Sequence, residues 1–185
     1  MSLHFISLEI PEVKIVTPAR FGDDRGYFSE TFKKDELLGV GIDSDFIQDN
    51  ESFSLEKGTV RGLHFQSPPY AQAKLVRVLS GAILDVAVDV RTGSPTFGAS
   101  VKAEISAANG AQIFVPRGFL HGFVTLETNT KVFYKVDAPY SPEHDGGVFW
   151  NDPDLRIGWG VAEDRAIVST KDAAAIRFSD FKSPF

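Results

Sequence analysis

The stretch GTVRGLHFQ at residues 58–66, read together with GAQIFVPRGFLH at residues 110–121, carries most of the information about the fold of this chain. Each stretch places a histidine, His64 in the first and His121 in the second, in or beside a run of apolar residues that is typical of a strand. Glycines occur in both stretches and Pro116 in the second, as is typical where strands meet turns. The two stretches therefore indicate β-structure that carries histidine.

Both stretches resemble the two motifs of the cupin β-barrel, in which the first supplies His-x-His and a Glu, and the second supplies one more His, to hold a metal. Here Gln66 stands in place of the second His, no Glu follows it within three to five residues, and Thr125 replaces the Asn after His121. Two imidazoles among amides and hydroxyls make a poor transition-metal site. We therefore expect a cupin barrel without a metal, whose histidine serves proton transfer near neutral pH.

The remaining chain has many short strand patterns with turn signals at roughly ten-residue spacing, which favours a sandwich or barrel. Residues 82–90 alternate apolar side chains on one face with Asp85 and Asp89 on the other. Asn109-Gly110 predicts a two-residue hairpin, because both residues accept positive φ. Helical pattern is confined to residues 33–38 and 173–176. The prediction is an all-β, cupin-type jelly-roll β-barrel with short peripheral helices. Its strands are predicted at residues 13–17, 27–32, 46–54, 59–65, 73–79, 82–90, 100–105, 112–115, 122–126, 131–137 and 147–150.

Length and composition bound the class of protein. The 185 residues are 43% hydrophobic, contain no linker or repeat, and predict a single domain over residues 1–185. The absence of Cys excludes disulfides and thiolate chemistry, and no signal peptide or membrane span is visible, so we expect a cytoplasmic protein without a membrane partner. A net charge of −6 argues against nucleic-acid binding. A nucleotide-sized anion needs only a few cations, for which the candidates are Arg25, Arg61, Lys74 and Lys171.

Longer motifs occur in order along the chain: DRGYFSE at 24–30, QDNES at 48–52, RGLHFQ at 61–66, AQAKLVRV at 71–78, DVAVD at 85–89, SPTFG at 94–98, PRGFLHGF at 116–123, YK at 134–135 and WNDP at 150–153. On these residues the chain resembles the dTDP-4-dehydrorhamnose 3,5-epimerase family over nearly its whole length. The resemblance implies a homodimer that needs no cofactor. It also implies inversion of carbons 3 and 5 of dTDP-4-keto-6-deoxyglucose in dTDP-L-rhamnose biosynthesis.

The resemblance further implies a role for individual residues. His64 would be the base, Asp172 the carboxylate that orients it, Tyr134 the acid on the opposite face of the sugar, and Lys74 the cation at the enolate oxygen. Substrate contacts are implied for Gln48, Asn50, Arg61, His121, Tyr140, Glu143 and Lys171 and, from the partner subunit, for Arg25, Phe28 and Glu30.

Several of these residues also have an ordinary structural interpretation. His121 and Tyr134 could be packed and hydrogen-bonded core residues, and Asp172 could cap the helix predicted at 173–176. Three other functions stay open from the residues alone: an epimerase acting at carbon 3 or carbon 5 only, a metal-dependent cupin enzyme, and a sugar-nucleotide binding module without catalysis. Near the C-terminus, Arg156 and the run Gly158-Trp159-Gly160 depart from the family pattern, which commonly has a small residue and Asp-Trp-Pro there.

Overall fold

The computed structural model describes residues 3–185, and strands account for most of the regular structure. No helix in that range is long and apolar enough to cross a membrane. The helices are α1 (Lys34–Gly39) and α2 (Thr170–Ala173), with 3-10 turns at Glu163–Arg165 and Phe178–Asp180. The strands are β1 (Leu3–Ser7), β2 (Lys14–Pro18), β3 (Phe21–Asp23), β4 (Gly26–Phe28), β5 (Gln48–Ser54), β6 (Thr59–Gln66), β7 (Lys74–Ser80), β8 (Ala82–Asp89), β9 (Ser100–Ser106), β10 (Gln112–Val115), β11 (Phe119–Thr125), β12 (Thr130–Val136), β13 (Asp145–Gly147) and β14 (Ile167–Val168).

Two sheets pack face to face. The first sheet is antiparallel in the order β1-β2-β10-β7-β12-β5. The second has the order β13-β6-β11-β8-β9, with β14 alongside β6 in parallel. Strands β3 and β4 form a separate hairpin. Apart from the pairs β1–β2 and β8–β9, neighbouring strands in both sheets are not consecutive in the chain, as expected for a jelly roll. The all-β prediction with short peripheral helices is confirmed.

The space between the two sheets is the main hydrophobic core. Val76 and Ile113 of the first sheet meet Ala87 and Phe123 of the second there. Side chains alternate along a strand, so residues two positions from a core residue face the same interior. Lys74 is two positions from Val76, and Tyr134 pairs with Val76 across the β7–β12 ladder. Both polar side chains are therefore directed between the sheets, at the margin of the apolar core.

Strand β8 of the second sheet is buried on both faces. The apolar face predicted for β8, which includes Val86 and Val88, is covered by the C-terminal region through Trp150 and Trp159. Asp85 and Asp89 on the opposite face are buried as well. The predicted alternation is confirmed, but neither face meets solvent. Each buried carboxylate has hydrogen-bond partners, as a charge removed from water requires.

The prediction of a β-hairpin at Asn109-Gly110 is wrong. β9 belongs to the second sheet and β10 to the first, so the segment between them crosses from one sheet to the other. Asn109 Oδ1 accepts hydrogen bonds from the backbone N–H groups of Ser106 and Ala111, each at 3.0 Å, and Gly110 has a φ of +66°. The residues do form a tight turn. The pairing of the flanking strands, however, is decided by the packing of the sheets.

The C-terminal departures lie on the outer side of the second sheet. Trp159 is buried, and its Nε1–H donates to the carbonyl of Trp150 at 2.8 Å. Arg156 is exposed and has a φ of +50°. Glycine adopts this left-handed conformation with less steric strain than a residue that has a Cβ atom. The helix predicted at 173–176 begins earlier, at Thr170.

Candidate active site

A cavity of about 450 Å³ opens between the two sheets where the interior becomes polar. This first compartment is lined by Ser52, Thr59, Val60, Arg61, His64, Lys74, His121, Phe123, Tyr134, Ile167, Val168, Ser169, Lys171 and Asp172. A second compartment of about 260 Å³ adjoins it and shares His64, Lys74, Tyr134 and Lys171. Four of the residues with implied roles therefore line both compartments. A substrate with a sugar and a charged tail would have room on both sides of them.

His64 is bound to a buried carboxylate. Its Nε2 lies 2.7 Å from Oδ1 of Asp172. Burial works against the ionised form of Asp172, but hydrogen bonds from His64 and the Gly62 amide prevail and lower its pKa. An ionised carboxylate only accepts hydrogen bonds, so Nε2 of His64 carries the proton. The other ring nitrogen, Nδ1, is left with the lone pair that a general base needs.

Local structure keeps the Asp172 carboxylate available for His64. Ser169 is the N-cap of α2, and its Oγ accepts the backbone N–H of Asp172 at 3.1 Å. The carboxylate itself is not the cap, and its Oδ2 accepts the backbone N–H of Gly62 at 3.2 Å. Residue 62 must be glycine, because a Cβ there would lie 2.6 Å from the Cα of Gly122. The close approach of β6 to β11 thus brings a backbone donor to Asp172.

His121 forms a second buried pair. It lies opposite His64 in the β6–β11 ladder, and its Nε2 is 2.9 Å from Oδ2 of Asp85. Burial lowers the pKa of His121, and Asp85 only partly offsets this. The imidazole is therefore neutral near pH 7. It offers the first compartment a polar, uncharged wall, and both the structural and the substrate-contact interpretation are compatible with this geometry.

Lys74 and Tyr134 come from the first sheet. Burial lowers the pKa of Lys74 to about 8, although the nearby carboxylates of Asp85 and Asp145 act to raise it. The ammonium is charged at pH 7 and would lose its proton in mildly alkaline solution. Burial raises the pKa of Tyr134, although the charge of Arg61 acts to lower it. The phenol therefore stays protonated near neutral pH and can donate its proton.

The histidine and the tyrosine stand on opposite walls. His64 belongs to β6 of the second sheet, whereas Tyr134 belongs to β12 of the first. Both line the same cavity. A flat ring held between the sheets would present one face to each of them. This arrangement suits removal of a proton from one face and its return to the other.

The second compartment is lined by amides and by the segment around Tyr140. Gln48 Nε2 donates to Oδ1 of Asn50 at 2.8 Å. Gln66, the residue in place of a metal-binding His, uses its whole amide within the protein: Nε2 donates to the carbonyls of Tyr70 and Pro139, and Oε1 accepts from the N–H of Ser141. Within residues 3–185, no three or more His, Cys, Asp or Glu side chains are grouped to hold a metal. The donors present do not fit a cupin metal.

Ten of the residues with implied roles are brought together at the two compartments: Gln48, Asn50, Arg61, His64, Lys74, His121, Tyr134, Tyr140, Lys171 and Asp172. Glu143 is exposed and lines neither. Arg25 and Phe28 lie on the exposed β3–β4 hairpin, and Glu30 follows it, 3.5 Å from Lys33.

The sequence reasoning assigned no role to two carboxylates that lie at the site. Asp85 pairs with His121, and Asp145 lines the second compartment. Asp85 stands in an alternating strand among apolar residues, and a buried partner could have been suspected from that position. Asp145 has no comparable signal, because its segment is rich in polar residues.

Comparison with known proteins identifies the family. The family model for dTDP-4-dehydrorhamnose 3,5-epimerase matches residues 7–180. A dTDP-4-dehydrorhamnose 3,5-epimerase of Sinorhizobium fredii is 57% identical over 157 residues, which cover 85% of this chain and 80% of the relative. The chain belongs to the dTDP-4-dehydrorhamnose 3,5-epimerase family. The resemblance carried by the sequence motifs is thereby confirmed.

Solved structures of the dTDP-4-dehydrorhamnose 3,5-epimerase family share the architecture. The Bacillus anthracis enzyme, crystallised with TDP and PPi bound, superimposes with a TM-score of 0.91 at 47% identity, covering 95% of this chain and 99% of that one. A dTDP-6-deoxy-D-glucose-3,5-epimerase from Legionella pneumophila, in complex with dTDP-4-keto-L-rhamnose, gives a TM-score of 0.92 at 42% identity, covering 97% of this chain and 95% of that one. The shared fold extends through the C-terminal region that covers the second sheet.

Proposed function

We propose that this chain inverts carbons 3 and 5 of dTDP-4-keto-6-deoxyglucose by proton abstraction from one face and proton return to the other, with His64 as base and Tyr134 as acid. It is an epimerase of dTDP-rhamnose biosynthesis, as its family membership shows. The observation that carries the residue roles is the placement of His64 and Tyr134 on facing sheets around one cavity.

The chemistry follows from the position of the ketone. Carbons 3 and 5 both adjoin carbon 4, so removal of either proton leaves an enolate whose negative charge is on the ketone oxygen. Nδ1 of His64 takes the proton, and the C–H electron pair moves toward that oxygen, where the Lys74 ammonium stabilises the charge. Tyr134 then gives its phenolic proton to the opposite face of the carbon. Exchange with solvent restores the imidazole and the phenol, so the net reaction consumes no proton.

The substrate nucleotide requires local positive charge in an acidic protein. Arg61 and Lys171 supply it at the first compartment. Arg61 is held in place because its Nη2 donates to the carbonyl of Phe53 at 2.9 Å and its Nε donates to Oγ of Ser54 at 3.2 Å. We assign the diphosphate to these two cations, and the polar groups of the sugar to the amides of Gln48 and Asn50.

The β3–β4 hairpin supports a homodimer. Arg25 and Phe28 do not line the cavities of their own chain, and the aromatic side chains of the hairpin are exposed: Phe21 at 55%, Tyr27 at 60% and Phe28 at 66%. Apolar side chains gathered on a projecting hairpin are typical of an interaction surface. We assign Arg25, Phe28 and Glu30 to the nucleotide site of the partner subunit, in a cytoplasmic homodimer of single-domain chains.

The reaction is tested by solvent-deuterium uptake. The purified protein is incubated with dTDP-4-keto-6-deoxyglucose in deuterated buffer, and the sugar protons are followed by NMR. We expect loss of the signals at both carbons 3 and 5, with inversion at both. Uptake at one carbon alone would establish a single-site epimerase, and binding without uptake would establish a binding module.

A further inference from the structure

The Tyr134 hydroxyl is not tethered in the way that the His64 ring is. The His64 imidazole is bound by the carboxylate of Asp172. Among the residues that the structure describes, none forms a hydrogen bond with the Tyr134 hydroxyl. The half-buried phenol nevertheless has to meet one carbon of a sugar between the sheets. Its position therefore depends on strand β12 and on the contacts that hold that strand.

Lys135, the next residue of β12, is held firmly on the outer face of the first sheet. Successive side chains of a strand point to opposite faces, so Lys135 lies behind Tyr134. Its Nζ donates to Oδ1 of Asp49 at 2.8 Å and lies 4.7 Å from the ring centre of Phe32 and 5.6 Å from that of Phe133. The Lys135 side chain is only 19% exposed. A carboxylate and two aromatic rings thus fix an ammonium that would otherwise sample many positions.

The ion pair of Lys135 aligns β12 with β5, the last strand of the first sheet. Lys135 lies directly opposite Asp49 in the ladder, and Tyr134 lies opposite Asn50. The other face of β5 carries Gln48 and Asn50, which line the second compartment together with Tyr134. Opposite charges that face each other across two strands stabilise their pairing. The contact between Lys135 and Asp49 therefore fixes Tyr134 relative to the amides of β5.

Phe32 connects this anchor to the segment that follows the β3–β4 hairpin. Its ring meets that of Phe46 edge to face, with 5.9 Å between the ring centres. The carbonyl of the preceding residue, Thr31, accepts a hydrogen bond from Nε2 of Gln112 at 2.7 Å. The segment is thus packed against the outer face of the first sheet. The Lys135 ammonium contacts both this segment and the strand of the proposed acid.

We propose that Lys135 is a positioning residue for Tyr134, whose ammonium, held by Asp49 and Phe32, fixes the orientation of β12 and so directs the phenol at the sugar. The proposal rests on the proposed function, because it takes Tyr134 as the acid. Lys135 lines neither compartment and does not touch the reacting carbons. Its loss should therefore displace the phenol and slow inversion, while His64 continues to remove the proton.

The test compares Lys135→Met, Lys135→Arg and Phe32→Leu by proton NMR in deuterated buffer, where exchange and inversion of the keto sugar are measured in the same sample. Methionine keeps a long apolar stem without the charge. In Lys135→Met we expect inversion to slow about 10- to 100-fold, the effect of a displacement of roughly 1 Å, with exchange within about threefold of the unmodified protein. Lys135→Arg can still pair with the carboxylate and stack on the ring, so it should recover most of the inversion. Phe32→Leu should show a smaller change in the same direction.

The matched control is Lys131→Met. Lys131 lies on the same face of β12 and pairs with Glu51 of β5 at 3.4 Å, but it is three residues away from Tyr134. Its loss should leave the ratio of inversion to exchange unchanged. The double variant Lys135→Met with Tyr134→Phe should invert no more slowly than Tyr134→Phe alone, because the acid is already absent. Multiplicative losses in the double variant would overturn the proposal, as would an equal fall of exchange and inversion in Lys135→Met.

A measurement that needs no turnover separates this proposal from the proposed function. Protein labelled with ¹³C at the tyrosine ζ carbon is observed by NMR, and Tyr134→Phe identifies the resonance of Tyr134. We expect Lys135→Met to shift this resonance more than those of the other tyrosines, and Lys135→Arg to restore it. If the unmodified protein binds dTDP but does not epimerise the keto sugar, the proposed function fails, and these spectra still decide whether Lys135 positions Tyr134. An unchanged Tyr134 resonance in Lys135→Met would overturn the proposal.

Discussion

Nε2 of His64 and Oδ1 of Asp172 lie 2.7 Å apart although 108 residues separate them in the chain. The contact joins β6 in the second sheet to α2 near the C-terminus. It depends on Ser169. Because the Ser169 side chain caps α2, the Asp172 carboxylate is free to bind His64. The pair sets the imidazole tautomer, and with it the nitrogen that can act as a base.

Loss of either member of this pair should abolish most proton abstraction. We expect His64→Asn to slow deuterium uptake by ~10²- to 10⁴-fold, the contribution of a positioned general base. Asp172→Asn should slow it by a similar order, because the amide no longer selects the Nε2–H tautomer. Calorimetry should show near-normal dTDP affinity in both variants. His64→Asn with unimpaired uptake would exclude His64 as the base.

Tyr134 should be needed for inversion but not for enolate formation. In Tyr134→Phe, His64 still removes the proton and can return one to the same face. We therefore expect deuterium exchange with little epimerisation, while substrate affinity changes by no more than ~1 kcal/mol, the net value of one hydrogen bond. Proton NMR of the recovered sugar measures both quantities. Full inversion in this variant would assign the acid to another group, such as Tyr140 or a water molecule.

The charge of Lys74 should limit activity in alkaline solution. Burial places the pKa of Lys74 at about 8, so the ammonium that stabilises the enolate is present below that pH and is lost as pH rises through it. We expect kcat to fall above pH about 8. In Lys74→Arg, any remaining activity should persist to higher pH, because a guanidinium keeps its proton. An alkaline limb at the same pH in both proteins would point to a different titrating group.

Subunit mixing should reveal whether the site is shared. An Arg25→Ala chain has an intact base, and a His64→Asn chain has an intact hairpin. If Arg25 serves the partner's site, each mixed dimer contains one complete site, and an equal mixture should recover about a quarter of the unmodified activity after subunit exchange. If Arg25 serves its own site, mixing recovers nothing. Sedimentation of the unmodified protein as a monomer would also contradict the shared site.

Metal removal should leave the activity unchanged. The donor groups of Gln66 are all engaged by Tyr70, Pro139 and Ser141, and His121 is engaged by Asp85. Turnover after dialysis against a chelator should therefore equal that before dialysis, within the error of the assay. Loss of turnover that one divalent ion restores would contradict metal-independent chemistry.

The sequence motifs were sufficient for the family, the all-β class and most of the candidate residues. The run from Arg61 to Gln66 contains the proposed base, His64, and also Gln66, which replaces a metal-binding histidine. Both features are visible in a single short stretch of sequence. The apolar alternation around Asp85 predicted a strand, although not that both of its faces are buried. The hairpin predicted at Asn109-Gly110 failed because turn residues specify a local bend and not the sheet to which the next strand belongs.

By itself, then, the sequence determined which chemical groups the protein carries and which short stretches are extended, because these depend on residue type and on neighbours within a few positions. The tertiary structure alone decided how those groups face one another. It placed His64 and Tyr134 on opposite sheets. It made Ser169, and not the Asp172 carboxylate, the cap of α2. It also brought Asp145 into contact with Lys171, whereas Glu143 is exposed to solvent. The physical reason is that contacts across 26 or 108 residues arise from the closure of two sheets around a common core, which no local pattern encodes.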